Sequence, residues 1–134
     1  MGNKFTRLVE ARRLVNIGTL SAPDSFVIVS VTKLVEVCNG CGTASSWFDY
    51  VPDKILGANI KFACFIHDWE YYSGSSKKDK VKADKNFKVN LLTLIRLNTT
   101  NSLKIQLSYY IACAYYLGVK HFGYKSFWRG KNDK

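Results

Sequence analysis

Histidine is scarce in this chain. With only His67 and His121 among 134 residues, metal-dependent phosphohydrolases of the His-Asp type are set aside, because their sites need further imidazoles. Acidic side chains are also few: ten Asp and Glu against twenty Lys and Arg give a formal net charge of +10. Such a chain is drawn to a polyanion, either nucleic acid or an anionic lipid surface, and charge alone does not choose between them. No RNA-binding signature, zinc-finger spacing or helix-turn-helix pattern accompanies the charge, so nucleic-acid binding would rest on cations and aromatic rings only. Long clean apolar runs are missing too. The most apolar stretch, Ser102 to Val119, carries Lys104, Gln106 and Ser108 near its start, which leaves a core helix ending near Gly118 rather than a membrane span. Met1 to Arg13 mixes Lys4, Arg7, Glu10, Arg12 and Arg13 with no apolar run behind them, and so does not read as a secretory signal. Its MGNKFT start matches the Met-Gly-x-x-x-Ser/Thr pattern of myristoylation, which only a eukaryotic host would use.

What is present reads as one folded domain. Hydrophobic residues make up 47% of the chain and aromatics 14%, too much apolar surface for a disordered segment, and the length suits a single modest core. Ser25 to Val37, SFVIVSVTKLVEV, is rich in Val and carries Thr, which predicts one or two strands after a turn at Pro23 and Asp24.

The chemistry concentrates in Ile60 to Tyr72, IKFACFIHDWEYY, which sets a histidine beside an aspartate in the middle of an apolar run. At helical spacing Ile60, Cys64, His67 and Tyr71 share one stripe, and Lys61, Phe65, Asp68 and Tyr72 share its neighbour. Ionisable groups on a core-like face must find partners or change protonation, so His67 and Asp68 are candidate functional residues. Asn59 suits the start of this helix, and SGSSKKDK, with Gly74, ends it. Asp84, Phe87, Leu91, Leu94 and Ile95 then mark a second amphipathic helix from about Lys80 to Leu97. Helices joined by a short turn pack antiparallel, which returns Asp84 toward His67. Taken singly, Asp84 is an exposed residue favouring the helix dipole. Opposite His67, its carboxylate can accept the Nδ1 hydrogen and leave Nε2 as a base toward solvent.

Upstream, Asn39-Gly40-Cys41-Gly42 forms a loop in which carbonyls can turn toward a common point, although a plain tight turn explains it equally well. Four cysteines, Cys38, Cys41, Cys64 and Cys113, admit a zinc site built from C-x-x-C and the C-x-x-H of Cys64 and His67. That reading leaves Asp68 and Asp84 without a role. Buried reduced thiols are another possibility.

In combination, CNGCG at Cys38 to Gly42, C-x-x-H-D-x-x-Y at Cys64, His67, Asp68 and Tyr71, and Asp84 on the following helix resemble the phospholipase A2 superfamily. The resemblance is especially to the small bacterial and fungal secreted members and the parvovirus-capsid domain, and also to phage-type relatives, and it covers roughly Cys38 to Leu97. It implies a mainly α fold, with a core of two antiparallel helices carrying the His/Asp site, a third long helix, and a short N-terminal β segment. Residues 1–37 would form a β-containing extension, 38–97 the calcium loop and catalytic helices, and 102–134 a C-terminal helix with a basic aromatic tail, all in one domain.

The activity implied is calcium-dependent hydrolysis of the sn-2 ester of a phospholipid. His67 would take a proton from water, Asp84 would orient it, and Tyr71 would hydrogen-bond Asp84. Ca²⁺ would lie on Asp68 and on the loop at Asn39, Gly40 and Gly42. Cys41 and Cys64 match the family disulfide between loop and helix, whereas Cys38 and Cys113 have no counterpart, and Glu70 stands where many relatives carry Cys.

The link between loop and helix is longer than in the animal enzymes; its Trp47, Phe48 and Tyr50 either rim a lipid interface or pack back on the core. In the tail KHFGYKSFWRGKNDK, Lys125, Phe127 and Trp128 read as a lipid-surface patch, a nucleic-acid contact, or a solvated basic tail with two anchoring rings. His121 reads as surface. The expected partner is a phospholipid membrane, and the expected location is cytoplasmic or virion-associated, acting at membranes. A catalytically inactive scaffold of the same type, serving as a virion-associated or nucleic-acid- or membrane-binding basic protein, is the alternative.

Overall fold

A computed structural model of the chain describes residues 3–39 and 54–131, and these are mainly helical. In order they form α1 (Lys4–Asn16), α2 (Asp24–Ile28), α3 (Val31–Val37), the two-stranded ribbon β1 (Lys54–Ile55) and β2 (Ala58–Asn59), α4 (Lys61–Ser73), α5 (Lys77–Asn98), α6 (Ser102–Phe122) and α7 (Tyr124–Trp128).

Local chemistry sets most of the starts. The Asn3 side chain accepts from the Thr6 N–H at 2.8 Å to cap α1. Ser76 and Asp79 form a capping box, so α5 begins at Lys77, three residues before its expected start. Asn101 caps α6 through the Lys104 N–H at 3.0 Å. Asn59 serves the first turn of α4 by accepting from the Lys61 N–H at 2.9 Å, although the cap position itself is Ile60. Gly74 closes α4 as expected, whereas α6 runs on past Gly118 to Phe122.

The expected N-terminal strands are corrected. Ser25 to Val37 forms α2 and α3 with Val29 and Ser30 extended between them, because Ser30 caps α3 through the Lys33 N–H at 3.2 Å and Leu34 is buried where α3 meets α1. Amphipathic burial with a cap outweighs the weak strand preference of the valines. The only sheet among the described residues is the ribbon, paired Lys54↔Asn59 and Ile55↔Ala58, and its turn places both Leu56 and Gly57 at positive φ, the requirement of a type I′ hairpin.

Two antiparallel pairings organise the rest. His67 on α4 meets Asp84 and Phe87 on α5, and Tyr71 meets Asp84, so the contacts run in opposite chain directions. Along α5 and α6, Lys80 reaches Val119, Lys88 lies over Tyr116, and Arg96 bonds the Tyr109 hydroxyl, again in reverse order. The main core lies between these helices and the N-terminal ones, with Leu8, Phe26, Leu34, Phe65, Ile66, Leu91, Ile95 and Ala112 buried. Each Leu, Ile or Phe among them contributes on the order of 1.5–3 kcal/mol by leaving water. A smaller cluster of Tyr71, Ala83 and Phe127 seals the α4–α5 turn end. Among the described residues, no helix is long and apolar enough to cross a membrane.

Candidate active site

α4 is buried along most of its length, from Ala63 through Ile66, at His67, and again from Trp69 to Tyr71. A helix wrapped this closely fixes its polar side chains against specific partners. His67 is 3% exposed and packs between the rings of Tyr71 and Phe87. Its Nε2 lies 2.9 Å from Asp84 Oδ1, and the Tyr71 hydroxyl donates to that same oxygen at 2.6 Å.

The expected choice of ring nitrogen is thereby corrected. Asp84 holds Nε2, not Nδ1, because the ring projects from α4 across to α5 and its far atom is the one that arrives. A neutral imidazole donating from Nε2 carries its basic lone pair on Nδ1. Asp84 also sits two turns inside α5, away from the dipole end where an exposed aspartate would be placed.

Lys80, one helical turn before Asp84, completes the cluster. Its ammonium is 2.7 Å from Asp84 Oδ2, 3.0 Å from the Val119 carbonyl and 3.3 Å from that of Lys120, and the residue is only 4% exposed. Burial, reinforced by this cation, holds His67 below its ordinary value against the opposing pull of Asp84, so the ring is neutral near pH 7. Burial alone would raise Asp84. Hydrogen bonds from His67, Lys80 and Tyr71 outweigh it and keep the carboxylate ionised; with His67 neutral, Lys80 supplies the counter-charge. Burial and the adjacent Asp84 charge raise the Tyr71 hydroxyl, keeping it a donor.

Asp68 leaves α4 on the neighbouring stripe and is half-buried, and the Asn39 backbone N–H donates to its Oδ2 at 2.8 Å. The end of the α3 segment therefore reaches the carboxylate assigned to calcium. The donor type fits a hard cation, which takes six to eight oxygens. Gly40 and Gly42 lie outside the described residues, as do Trp47 and Phe48. Cys64 is disulfide-bonded, whereas Cys38 and Cys113 are free thiols; the expected partner of Cys64, Cys41, lies outside the described residues. Burial, with Asp68 nearby, pushes the Cys38 thiol well above its ordinary value. A Cys64 committed to a disulfide and a ring committed at Nε2 to Asp84 do not form the donor set of the zinc reading.

The tail is corrected in part. Phe127 is fully buried against Tyr71 and Gly74, and Trp128 is half-buried against Phe127, so neither ring is presented whole to a lipid surface. Lys125 is exposed, as is His121. The exposed rings nearby are instead Phe122 and Tyr124.

Two further features escaped the sequence. A Cβ at Gly123 would collide with the Tyr71 hydroxyl and the Val119 carbonyl, so only glycine lets the chain pass this close to the dyad. Glu70, in the position where the resembled family often has Cys, is buried and accepts from the Asn86 amide at 2.8 Å; Asn86 also donates to the Ser21 carbonyl, and Asn90 clasps Ser21 from both sides. Burial raises Glu70 to about 7. The lone signal for this network was an acidic residue on a core stripe.

Comparison with known proteins finds no family model, no curated protein and no solved structure that matches the chain.

Proposed function

We propose that this chain is a calcium-dependent phospholipid sn-2 ester hydrolase in which a His/Asp dyad activates water. The observation that carries the reading is a buried imidazole held at Nε2 by a carboxylate that receives two further donors, with a second carboxylate one residue along the same helix. His67 would accept a proton at Nδ1 from a water attacking the ester carbonyl, and Asp84 would keep the ring oriented and offset the charge it gains. Tyr71 and Lys80 keep Asp84 ionised for that role. When bound at Asp68 and the adjoining loop, Ca²⁺ would supply positive charge for the oxyanion and the phosphate. The proposal includes a Cys41–Cys64 bond tying that loop to α4, and an anionic membrane as the surface worked upon.

The net charge of +10 favours a second reading, an inactive scaffold of this shape that binds nucleic acid or membrane. One experiment separates them. Fatty-acid release from mixed phosphatidylglycerol vesicles is measured with Ca²⁺ and with EDTA, for the wild type, His67→Ala and Asp84→Ala. Calcium-dependent release lost in both variants supports the hydrolase; no release, with salt-sensitive binding to DNA, supports the scaffold.

A further inference from the structure

An ammonium has three hydrogens to donate, and three oxygens surround that of Lys80: Asp84 Oδ2 and the carbonyls of Val119 and Lys120. The two carbonyls belong to the last turn of α6, where the helix dipole favours a cation, and that of Val119 accepts from the Gly123 N–H at 2.9 Å as well as from Lys80. The Tyr124 ring covers the same group, its centroid 4.4 Å from Nζ. Lys80 is thus aimed from one side by α6 and α7 and grips the dyad carboxylate on the other.

We propose that Lys80 is a positioning residue: the C-terminal end of α6 orients its ammonium, which pins Asp84 Oδ2 so that Oδ1 faces both His67 Nε2 and the Tyr71 hydroxyl. The division of labour between the two oxygens is the telling feature. A carboxylate free to rotate would exchange them and loosen the ring it orients, whereas one held at Oδ2 has a single setting. α6, remote in sequence from the His-Asp pair, then belongs to the apparatus that sets the imidazole. Its catalytic consequence rests on the hydrolase reading above.

The test is Lys80→Met, which keeps the aliphatic stem and removes the donor. The nitrogen signals of the His67 ring are recorded at fixed alkaline pH in the 15N-labelled chain. In the wild type they should be widely separated, with the hydrogen on Nε2; in Lys80→Met they should move toward each other as the two tautomers mix. On phospholipid vesicles kcat should fall by about 10²-fold with KM within about twofold, the pattern of lost orientation rather than lost binding. Should Lys80→Met not fold, Lys80→Gln carries the same readouts, because its shorter amide cannot span Asp84 and both carbonyls. Ring-nitrogen signals identical to wild type would overturn the proposal, whatever the variant does to melting temperature. A wild type silent on phospholipid would defeat the hydrolase reading, yet the nitrogen signals, read without turnover, would still decide the role of Lys80.

Discussion

Tyr71 and Asp84 are joined by a 2.6 Å hydrogen bond from hydroxyl to Oδ1, the oxygen already engaged by His67. Tyr71→Phe removes that donor and keeps the ring, including its edge contact with Phe127 at 5.3 Å between centroids. Hydrogen bonds to buried charged acceptors contribute about 1.5–3 kcal/mol, and a destabilisation of that size is expected from denaturant unfolding. On the hydrolase reading kcat falls only about tenfold, because Lys80 and His67 still hold the carboxylate; a loss as complete as that of His67→Ala would contradict this division of roles.

Gly123 is fitted to the same hydroxyl. Its φ of −82 is ordinary, so the demand is steric: an added Cβ meets the Tyr71 hydroxyl and the Val119 carbonyl. Gly123→Ala should therefore destabilise by about 1–3 kcal/mol. In a Tyr71→Phe background one of the two collisions is gone, and the cost should drop by at least about 0.5 kcal/mol in a double-mutant cycle. Strict additivity would mean that the Val119 carbonyl alone sets the constraint.

These neighbours show what a sequence does and does not disclose. His67, Tyr71 and Asp84 were legible because residues four apart share a helical stripe and a short polar turn folds the next helix back. Which ring nitrogen meets Asp84 was not, since it follows from the reach of the side chain across the gap between helices rather than from spacing. Lys80 was invisible for another reason: a lysine four residues before an aspartate reads as a solvated surface pair, and its carbonyl partners lie 39 and 40 residues further on. Ser25 to Val37 misled because valine favours strands only weakly, while the decisive signal, Ser30 as a cap for α3, is a single residue. Phe127 looked like a surface anchor because cations flank it; the pocket that buries it, between Tyr71 and Gly74, is assembled from the far end of α4.

Glu70 makes stability depend on pH. Burial raises it from an ordinary 4.5 to about 7, so between those values the folded chain holds a proton that the unfolded chain releases. The favourable contribution is fully present below pH 4.5 and is lost as pH rises through 7. Over the whole window that amounts to roughly 3 kcal/mol as an upper bound. Glu70→Gln, which keeps the shape and the Asn86 contact without the charge, should remove this decline, and melting curves of both chains between pH 5 and pH 8 test it. A wild-type decline that persists undiminished in Glu70→Gln would assign it to another group.

His67 sets the acid limit of the proposed activity. Burial, with Lys80 adding to it and Asp84 opposing, places its pKa below the ordinary 6.5, so the neutral base survives mild acidification. The same shift means that the stability associated with the neutral ring is present above pH 6.5 and is lost as pH falls through the lowered value. In kcat/KM the acid limb should accordingly have its midpoint below 6.5. Asp68 could produce a limb of its own, because protonating that carboxylate would weaken calcium binding, but such a limb must move to lower pH as calcium is raised. The limb from His67 feels calcium only through the charge of the bound ion, so it moves less than a limb set by the ligand itself. A profile recorded at two calcium concentrations, tenfold apart and both saturating at pH 8, therefore separates the two groups. A midpoint below 6.5 that moves little identifies the imidazole; one above 6.5, or one that shifts by about a full unit with the tenfold change, removes His67 from the role of base.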